Sequence, residues 1–187
     1  MRRSDPETES TVPSPLSAAS ESSGDSAGRL IVGALLIFTT GDGRVMFVRQ
    51  QRGPYAGSLL LPGGKVEDGE SLDDTARREA FEEAGVRAGT VTACGVYDMT
   101  GPTADGRGYR FVMFVFRAGS DAVRVAAGGH HVDDVVLTDP GLVQPHPTVQ
   151  QILNDAGVAA YAPAGVQQRL RNDGITMRTY PMAGTRC

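Results

Sequence analysis

The sequence predicts a fold of the α/β (α+β) class, in which strands and helices share one core. Two observations support this prediction. The nine-residue apolar run Leu30–Phe38, LIVGALLIF, has the length and continuity of a strand that is buried on both faces. Apolar residues at every fourth position from Leu72 to Ala84 have the period of a helix with one narrow apolar face. Hydrophobic residues make up 40% of the 187 residues, which is enough for a core.

The N-terminal segment, residues 1–28, is rich in Ser, Pro, Glu and Asp and has almost no large apolar residues. We expect a disordered tail, because this composition buries too little apolar surface to offset the entropy of ordering. Arg2 and Arg3 are not followed by the apolar segment of an export signal. No stretch approaches the length of a membrane span. Cys94 and Cys187 have no metal-site spacing, and a cytoplasmic location is expected.

Strands are predicted on both sides of the periodic stretch. Gly41-Asp42-Gly43 indicates a hairpin turn that leads from the apolar run to a partner strand at Val45–Val48. A polar, glycine-rich loop is predicted at Tyr97–Gly108. The remaining predicted strands are rich in β-branched or aromatic residues: Val91–Val96, Tyr109–Phe116 and Asp133–Thr138.

The C-terminal part carries a weaker signal. Pro147–Ala156 predicts a helix with proline in its first turn. Beyond Tyr161 the pattern fades, with a helical turn at Gln167–Arg171 and a loose tail from Thr176. We therefore expect one folded domain at residues 29–160 and a poorly defined extension at residues 161–187.

The most informative stretch is Gly64–Val86, GKVEDGESLDDTARREAFEEAGV. Ser71 suits the N-cap of a helix, and Gly85 suits the position just past its end. A helix over Ser71–Ala84 is therefore predicted, and a glycine turn precedes it. The small residues of its apolar face allow the helix to lie close to a sheet.

Three carboxylates share one flank of this helix near its C-terminal end. Glu79 and Glu83 are one turn apart, and Glu82 lies about 60° round the axis from Glu79. Like charges at this spacing repel, and anions at a helix C-terminus oppose the macrodipole. A bound cation removes both penalties, and hard oxygen ligands suit Mg²⁺ or Mn²⁺. A solvated acidic helix face is the alternative interpretation.

The spacing of these residues matches a known motif. Gly64, Glu70, Arg78-Glu79-Ala80, Glu82-Glu83 and Gly85-Val86 stand at the positions of the Nudix box, and the chain resembles a Nudix hydrolase. The resemblance extends over about residues 29–157 and implies a mixed β-sheet sandwiched between helices. It also implies hydrolysis of a nucleoside diphosphate linked to another group, with Mg²⁺, or Mn²⁺, as cofactor. Similar proteins are often homodimers, and a homodimer is an option here.

The resemblance also implies roles for single residues. Glu79, Glu82 and Glu83 match the metal ligands, and the backbone carbonyl of Gly63 adds another. Arg78 and Glu70 are expected to brace the site by pairing with each other or with neighbouring carboxylates. A carboxylate takes the proton of a metal-bound water. The candidates for this base are box glutamates and acids of a later loop, namely Glu79 or Glu83, and Asp133 or Asp134.

The substrate is predicted less sharply than the metal site. Arg49 and Arg52 are candidates for contact with an anionic substrate, as are Asp133 and Asp134, whereas the alternative for the arginines is a solvated surface position. Pro102, sixteen residues past Val86, is similar in spacing to a marker of ADP-ribose pyrophosphatases. ADP-ribose or another nucleotide sugar is therefore the preferred small-molecule substrate.

Hydrolysis of a non-nucleotide diphosphate is one alternative, because the box recognises the diphosphate and the metal and not the attached group. Two further alternatives to this function stay open. One is a nucleoside triphosphate pyrophosphohydrolase, with 8-oxo-dGTP among its substrates. The other is a non-catalytic module that senses a nucleotide, because a fold alone does not fix function. The net charge of −4 gives no support to a nucleic-acid or membrane surface, and neither is expected as a partner.

Overall fold

The computed structural model describes residues 30–51, 55–103, 108–125 and 135–182. This part of the chain contains ten strands and three α-helices, which confirms the α/β (α+β) class. In chain order they are β1 (Leu30–Ile37), β2 (Val45–Arg49), β3 (Leu59–Leu60), β4 (Gly63–Lys65), α1 (Leu72–Ala84), β5 (Val86–Arg87), β6 (Val91–Pro102), β7 (Gly108–Ala118), β8 (Val123–Arg124), β9 (Val135–Thr138), α2 (Pro147–Asp155), α3 (Pro163–Asn172) and β10 (Thr176–Pro181). A 3₁₀ turn at Pro140–Leu142 precedes α2.

A five-stranded mixed sheet, in the order β10-β6-β7-β1-β4, organises the molecule. β1 pairs parallel with β7 and antiparallel with β4, and the other neighbours are antiparallel. β1 is covered on both faces only in its second half. Leu36 and Ile37 are fully buried, whereas Leu30 is 56% and Val32 38% exposed. The prediction of a strand buried throughout is wrong for that first half.

The turn at Gly41–Gly43 forms and leads to a strand at the predicted place, but the two arms pair only next to the turn. Gly43 has a φ of +85° and donates its N–H to the Thr40 carbonyl at 2.9 Å. Only an isolated bridge, between Thr39 and Val45, joins the two arms. β2 instead lies in a second sheet with the order β3-β2-β9. β5 and β8 form a short separate pair.

The core lies on both faces of the central sheet. On one face, Ala76, Ala80 and Ala84 of α1 pack with Ala34 and Leu36 of β1 in one buried cluster. On the other face, α2 and α3 contribute their apolar residues to a second cluster that includes the inner side of β6 and β7. The expectation of a mixed sheet sandwiched between helices is thereby confirmed.

Two predictions for irregular segments are wrong. β6 runs through Tyr97–Pro102, where the sequence predicts a loop, because these residues pair with β7. β10 occupies Thr176–Pro181, where the sequence predicts a loose tail, and pairs antiparallel with β6. Most of β10 is exposed at the sheet edge, so its sequence lacks the apolar alternation by which strands are recognised.

Some sequence predictions fall outside the described residues. These include the N-terminal tail, residues 1–28, and the first two residues of the strand expected at Asp133–Thr138. In the part of the chain that the structure describes, no helix has the length and apolar character needed to cross a membrane.

Candidate functional site

The local sequence of α1 brings its acidic residues to the sheet. Ser71 caps the helix, because its Oγ accepts a hydrogen bond from the Asp74 N–H at 3.2 Å. Gly85 ends it in the left-handed conformation at φ +63° and donates to the Phe81 carbonyl at 3.0 Å. The alanine stripe of α1 is fully buried against the sheet. Because these side chains are small, the helix axis lies close enough for glutamates to reach the backbone of β4.

Two of these glutamates contact consecutive glycines of β4. The Glu83 Oε2 accepts a hydrogen bond from the Gly63 N–H at 2.9 Å. The Glu79 carboxylate lies against Gly64, where a Cβ would overlap its Oε1. A side chain at position 64 is therefore incompatible with this position of Glu79.

Burial changes the acidity of both glutamates. It raises the pKa of Glu83 to about 7, although the hydrogen bond from Gly63 acts in the opposite direction. Repulsion from Glu79 adds to the rise in the pKa of Glu83. Burial also raises the pKa of Glu79, against the lowering effect of Arg78. A cation at this edge would offset both the cost of burying the two carboxylates and the repulsion between them.

The ladder register directs the backbone of Gly63 towards the same edge. Leu36 donates its N–H to the Pro62 carbonyl at 2.9 Å. Val66 donates to the Val32 carbonyl at 3.1 Å. Hydrogen-bonded pairs alternate in an antiparallel ladder, so Gly63 occupies a position that is not bonded to β1. Its N–H and C=O consequently point away from β1.

Arg78 is surrounded by carboxylates. It forms a bidentate pair with Glu70, from Nε to Oε1 at 2.6 Å and from Nη2 to Oε2 at 3.0 Å. Its Nη1 also donates to Glu79 at 2.9 Å and to Glu82 at 3.2 Å. Arg78, followed by the Thr75 hydroxyl, lowers the pKa of Glu70 to about 2. The expected pair between Arg78 and Glu70 is thus present in the structure.

The acidic residues do not form a closed metal cage in the structure. Across the described ranges, no three His, Cys, Asp or Glu side chains are grouped closely enough to hold a metal ion. The Glu79 side chain is only 15% exposed, whereas that of Glu82 is 54% exposed and lies by Arg78. The donor set nevertheless fits a hard divalent cation, because partly buried carboxylates with raised pKa values gain most from a nearby positive charge.

The predicted substrate contacts are placed only in part. Arg49 donates from Nη1 to the Gly57 carbonyl at 3.0 Å, so it supports the loop that leads to β3. Arg52, Asp133 and Asp134 lie outside the described residues, and their predicted contacts stay predictions.

Sequence reasoning missed Thr75, Tyr55 and Tyr109 as candidate site residues. Thr75 is fully buried, and its hydroxyl donates to Glu70 Oε2 at 2.8 Å. Tyr55, Tyr109 and His146 meet although they are far apart in the chain. Only the position of Thr75, one turn after the cap, carried a local signal. The aromatic cluster depends on tertiary contacts that no spacing reveals.

Comparisons with known proteins agree with this geometry. A family model described as the NUDIX domain matches residues 29–153. The ADP-ribose pyrophosphatase of Methanocaldococcus jannaschii is 32% identical over 89 residues, which are 43% of this chain and 52% of that protein. The oxidized purine nucleoside triphosphate hydrolase of Danio rerio is 38% identical over 60 residues, 32% of this chain and 38% of that protein.

A solved structure is also similar. The crystal structure of the MutT NUDIX hydrolase from Burkholderia pseudomallei has a TM-score of 0.53 and 26% identity, and the match covers 68% of this chain and 98% of that one. This chain spans about half of the first curated relative and less of the second. Three observations indicate the same family. They are the match of the family model, the spacing of the box residues and the position of the box helix against the mixed sheet. The chain belongs to the NUDIX family.

Proposed function

We propose that this protein is a divalent-metal-dependent hydrolase that cleaves the diphosphate linkage of a nucleoside diphosphate derivative. ADP-ribose or another nucleotide sugar is the preferred substrate class. The main support is the seating of two partly buried carboxylates, Glu79 and Glu83, on the glycine backbone of β4. The similarity to an ADP-ribose pyrophosphatase, 32% identity over 89 residues, favours the substrate class.

The residues that would hold the metal are Glu79, Glu82, Glu83 and the carbonyl of Gly63. Mg²⁺ is the preferred ion and Mn²⁺ the alternative, because both favour oxygen ligands. When bound, the metal would neutralise the diphosphate and lower the pKa of a coordinated water. Glu82 is the most exposed of the three carboxylates and must turn away from Arg78 to take part.

The protein's own groups would then position and deprotonate the water. Glu79 or Glu83 accepts its proton, and Asp133 and Asp134 stay as further candidates for this role. Attack at phosphorus breaks the bond to the bridging oxygen and releases two phosphorylated products. Arg78 stays paired with Glu70, and this pair holds the start of α1 next to the acidic residues.

The test is product release with Mg²⁺ from ADP-ribose, UDP-sugars, 8-oxo-dGTP and ordinary nucleoside triphosphates. We expect turnover of the nucleotide sugars and its loss in Glu83→Gln. Asp68→Asn is the matched control, because it removes the same charge from an exposed turn before α1 and should leave turnover unchanged.

Other outcomes favour the other functions. Turnover confined to 8-oxo-dGTP or other triphosphates would support the triphosphate pyrophosphohydrolase, a class to which the similar Danio rerio protein belongs by name. Binding of nucleotides without turnover in the wild type would contradict a hydrolase and favour a sensing module. The homodimer and the cytoplasmic location stay predictions.

A further inference from the structure

A cavity of about 350 Å³ opens on the face of the central sheet opposite α1. Its walls include Tyr55, Pro102, Tyr109, His146 and Asp173, which come from separate parts of the chain. This volume falls at the lower end of the range for small-molecule sites, which are largely aromatic or apolar with a few polar groups. The cavity is separate from the box residues on α1 and β4.

The aromatic wall of the cavity is fixed by its neighbours. The Tyr55 and Tyr109 hydroxyls share a hydrogen bond, and the Tyr55 and His146 ring centroids are 4.4 Å apart. Tyr109 also packs edge-on against Phe111, and their ring centroids are 5.4 Å apart. A Cβ at Gly101 would be 2.5 Å from the Tyr109 hydroxyl, so the glycine leaves the space that this ring occupies. The rings are therefore held in place before any ligand arrives.

The charge at the cavity is unfavourable for phosphate. Asp173 lies at its wall. Burial and then the contact with Tyr109 raise the pKa of Tyr55, and the negative charge of Asp173 adds a smaller rise. Burial lowers the pKa of His146, which keeps its ring neutral near pH 7. A carboxylate next to neutral aromatic rings suits an uncharged planar group with N–H donors.

One continuous sheet face connects the cavity with β4. Lys65 of β4 lies opposite Gly33 of β1, which lies opposite Met113 of β7. Residues directly opposite share a face of the sheet. Tyr109 is on that same face, four residues along β7 from Met113, or about 13 Å at the rise of a strand. Gly33 and Met113 are buried, but Ile31 and Phe111 on the same face are partly exposed. An extended ligand over this end of the sheet can reach both the cavity and the glycine edge of β4.

We propose that the cavity binds the base of the nucleoside part of the substrate, and that Asp173 selects a base with an amino group, such as adenine. The ring packs against Tyr55 and Tyr109, and the amino group donates to the Asp173 carboxylate. This inference rests on the proposed function, because it assigns the base of the same substrate. The phosphates lie towards β4, on the side of Lys65.

Tyrosine fluorescence provides a test that does not depend on catalysis. The chain has five tyrosines and no tryptophan, so the signal includes the two tyrosines of the cavity wall. The full chain is titrated without metal with AMP, IMP and inorganic pyrophosphate. We expect AMP to change the fluorescence and to bind about tenfold more tightly than IMP, which lacks the amino group. Pyrophosphate should leave the fluorescence unchanged.

Variants separate ring packing from recognition of the amino group. Tyr55→Leu should weaken AMP binding about tenfold or more, as expected for loss of a stacking side chain, and Tyr55→Phe should keep most of it. Asp173→Ala should bring AMP and IMP to similar affinity. Tyr180→Leu is the control, because Tyr180 is 50% exposed on β10. This variant should bind AMP like the wild type. Circular dichroism checks that each variant is folded.

The proposal and the proposed function fail in different ways. Absence of AMP binding, or AMP binding that Tyr55→Leu and Asp173→Ala leave unchanged, overturns the base site even if nucleotide sugars are hydrolysed. Cavity-dependent AMP binding without turnover of any substrate keeps the base site and overturns the hydrolase. Equal affinity for AMP and IMP in the wild type overturns the role of Asp173.

Discussion

Glu83 ties the stability of the metal-free protein to pH. Its pKa is raised by burial from 4.5 to about 7. Below pH 4.5 the carboxyl is protonated in both the folded and the unfolded state and has no effect. Between pH 4.5 and pH 7 the folded state binds more protons than the unfolded state, so the free energy of unfolding falls as pH rises. Above pH 7 the full penalty is present, on the order of 3 kcal/mol.

We therefore expect Glu83→Gln to raise the melting temperature of the metal-free protein at about pH 8 and to change it little at about pH 4.5. Thermal unfolding with a chelator present measures both. Asp68→Asn, in the exposed turn, should show no such pH-dependent difference. A stabilisation by Glu83→Gln of the same size at both pH values would contradict the buried, ionised carboxylate. The variant is thus expected to gain stability where it loses activity.

Arg78 acts through geometry as well as charge. Its guanidinium reaches both oxygens of Glu70 and also contacts Glu79, an arrangement that the single ammonium of lysine cannot reproduce. We expect Arg78→Lys to raise the Mg²⁺ concentration needed for half-maximal activity by about ten- to a hundredfold. Arg77→Lys, which changes the neighbouring arginine paired with Asp73, should stay near the wild type. Equal metal dependence in both variants would exclude this role for Arg78.

At the scale of elements, the contact between α1 and β4 depends on Gly64. A Cβ there would meet the end of the flexible Glu79 side chain. The carboxylate can move away at little cost to folding, but it then leaves its position at the sheet edge. Gly64→Ala should therefore lower kcat/KM at least about tenfold while changing the melting temperature only slightly. Gly41→Ala is the control, since a Cβ at Gly41 would have no heavy atom within 4 Å.

The same elements show which features the sequence could predict. α1 follows from residues close together in the chain, namely the Ser71 cap, the alanine stripe and Gly85, so its glutamates could be placed on one flank. β10 could not be predicted, because an exposed edge strand is specified by its pairing with β6 and not by its own pattern. β6 continues past Tyr97 for the same reason, because its partner β7 extends it.

The candidate site also has features that the sequence could predict and features that it could not. The spacing within one helix is enough to put Glu79 and Glu83 together, and the structure sets them on β4. Arg49, at the end of β2, donates to the carbonyl of Gly57, and its contact with the substrate stays a prediction. The cavity of Tyr55, Tyr109 and Asp173 forms only when distant segments pack, so no local pattern predicts it.

For the whole molecule, the C-terminal strand is an integral part of the central sheet. β10 pairs with β6 from Thr176 to Pro181, and the Thr179 hydroxyl donates to Asp155 of α2 at 3.1 Å. Truncation after Ile175 should cost on the order of 2 kcal/mol, because several net hydrogen bonds are lost. That corresponds to about 4–8 °C in melting temperature for a domain of this size. Tyr180→Ala is the control, because it keeps the backbone of β10 and changes a side chain that is 50% exposed, so it should leave the melting temperature nearly unchanged.

The parallel pairing of β1 with β7 has a consequence for synthesis on the ribosome. Leu30 pairs with Arg110, which lies about eighty positions later in the chain. At roughly 5–20 residues per second, this partner emerges on the order of ten seconds after β1. β4, the other neighbour, emerges much earlier but covers only three residues. The most apolar segment of the nascent chain therefore waits with one open edge, and slower translation between these strands should increase aggregation and dependence on chaperones.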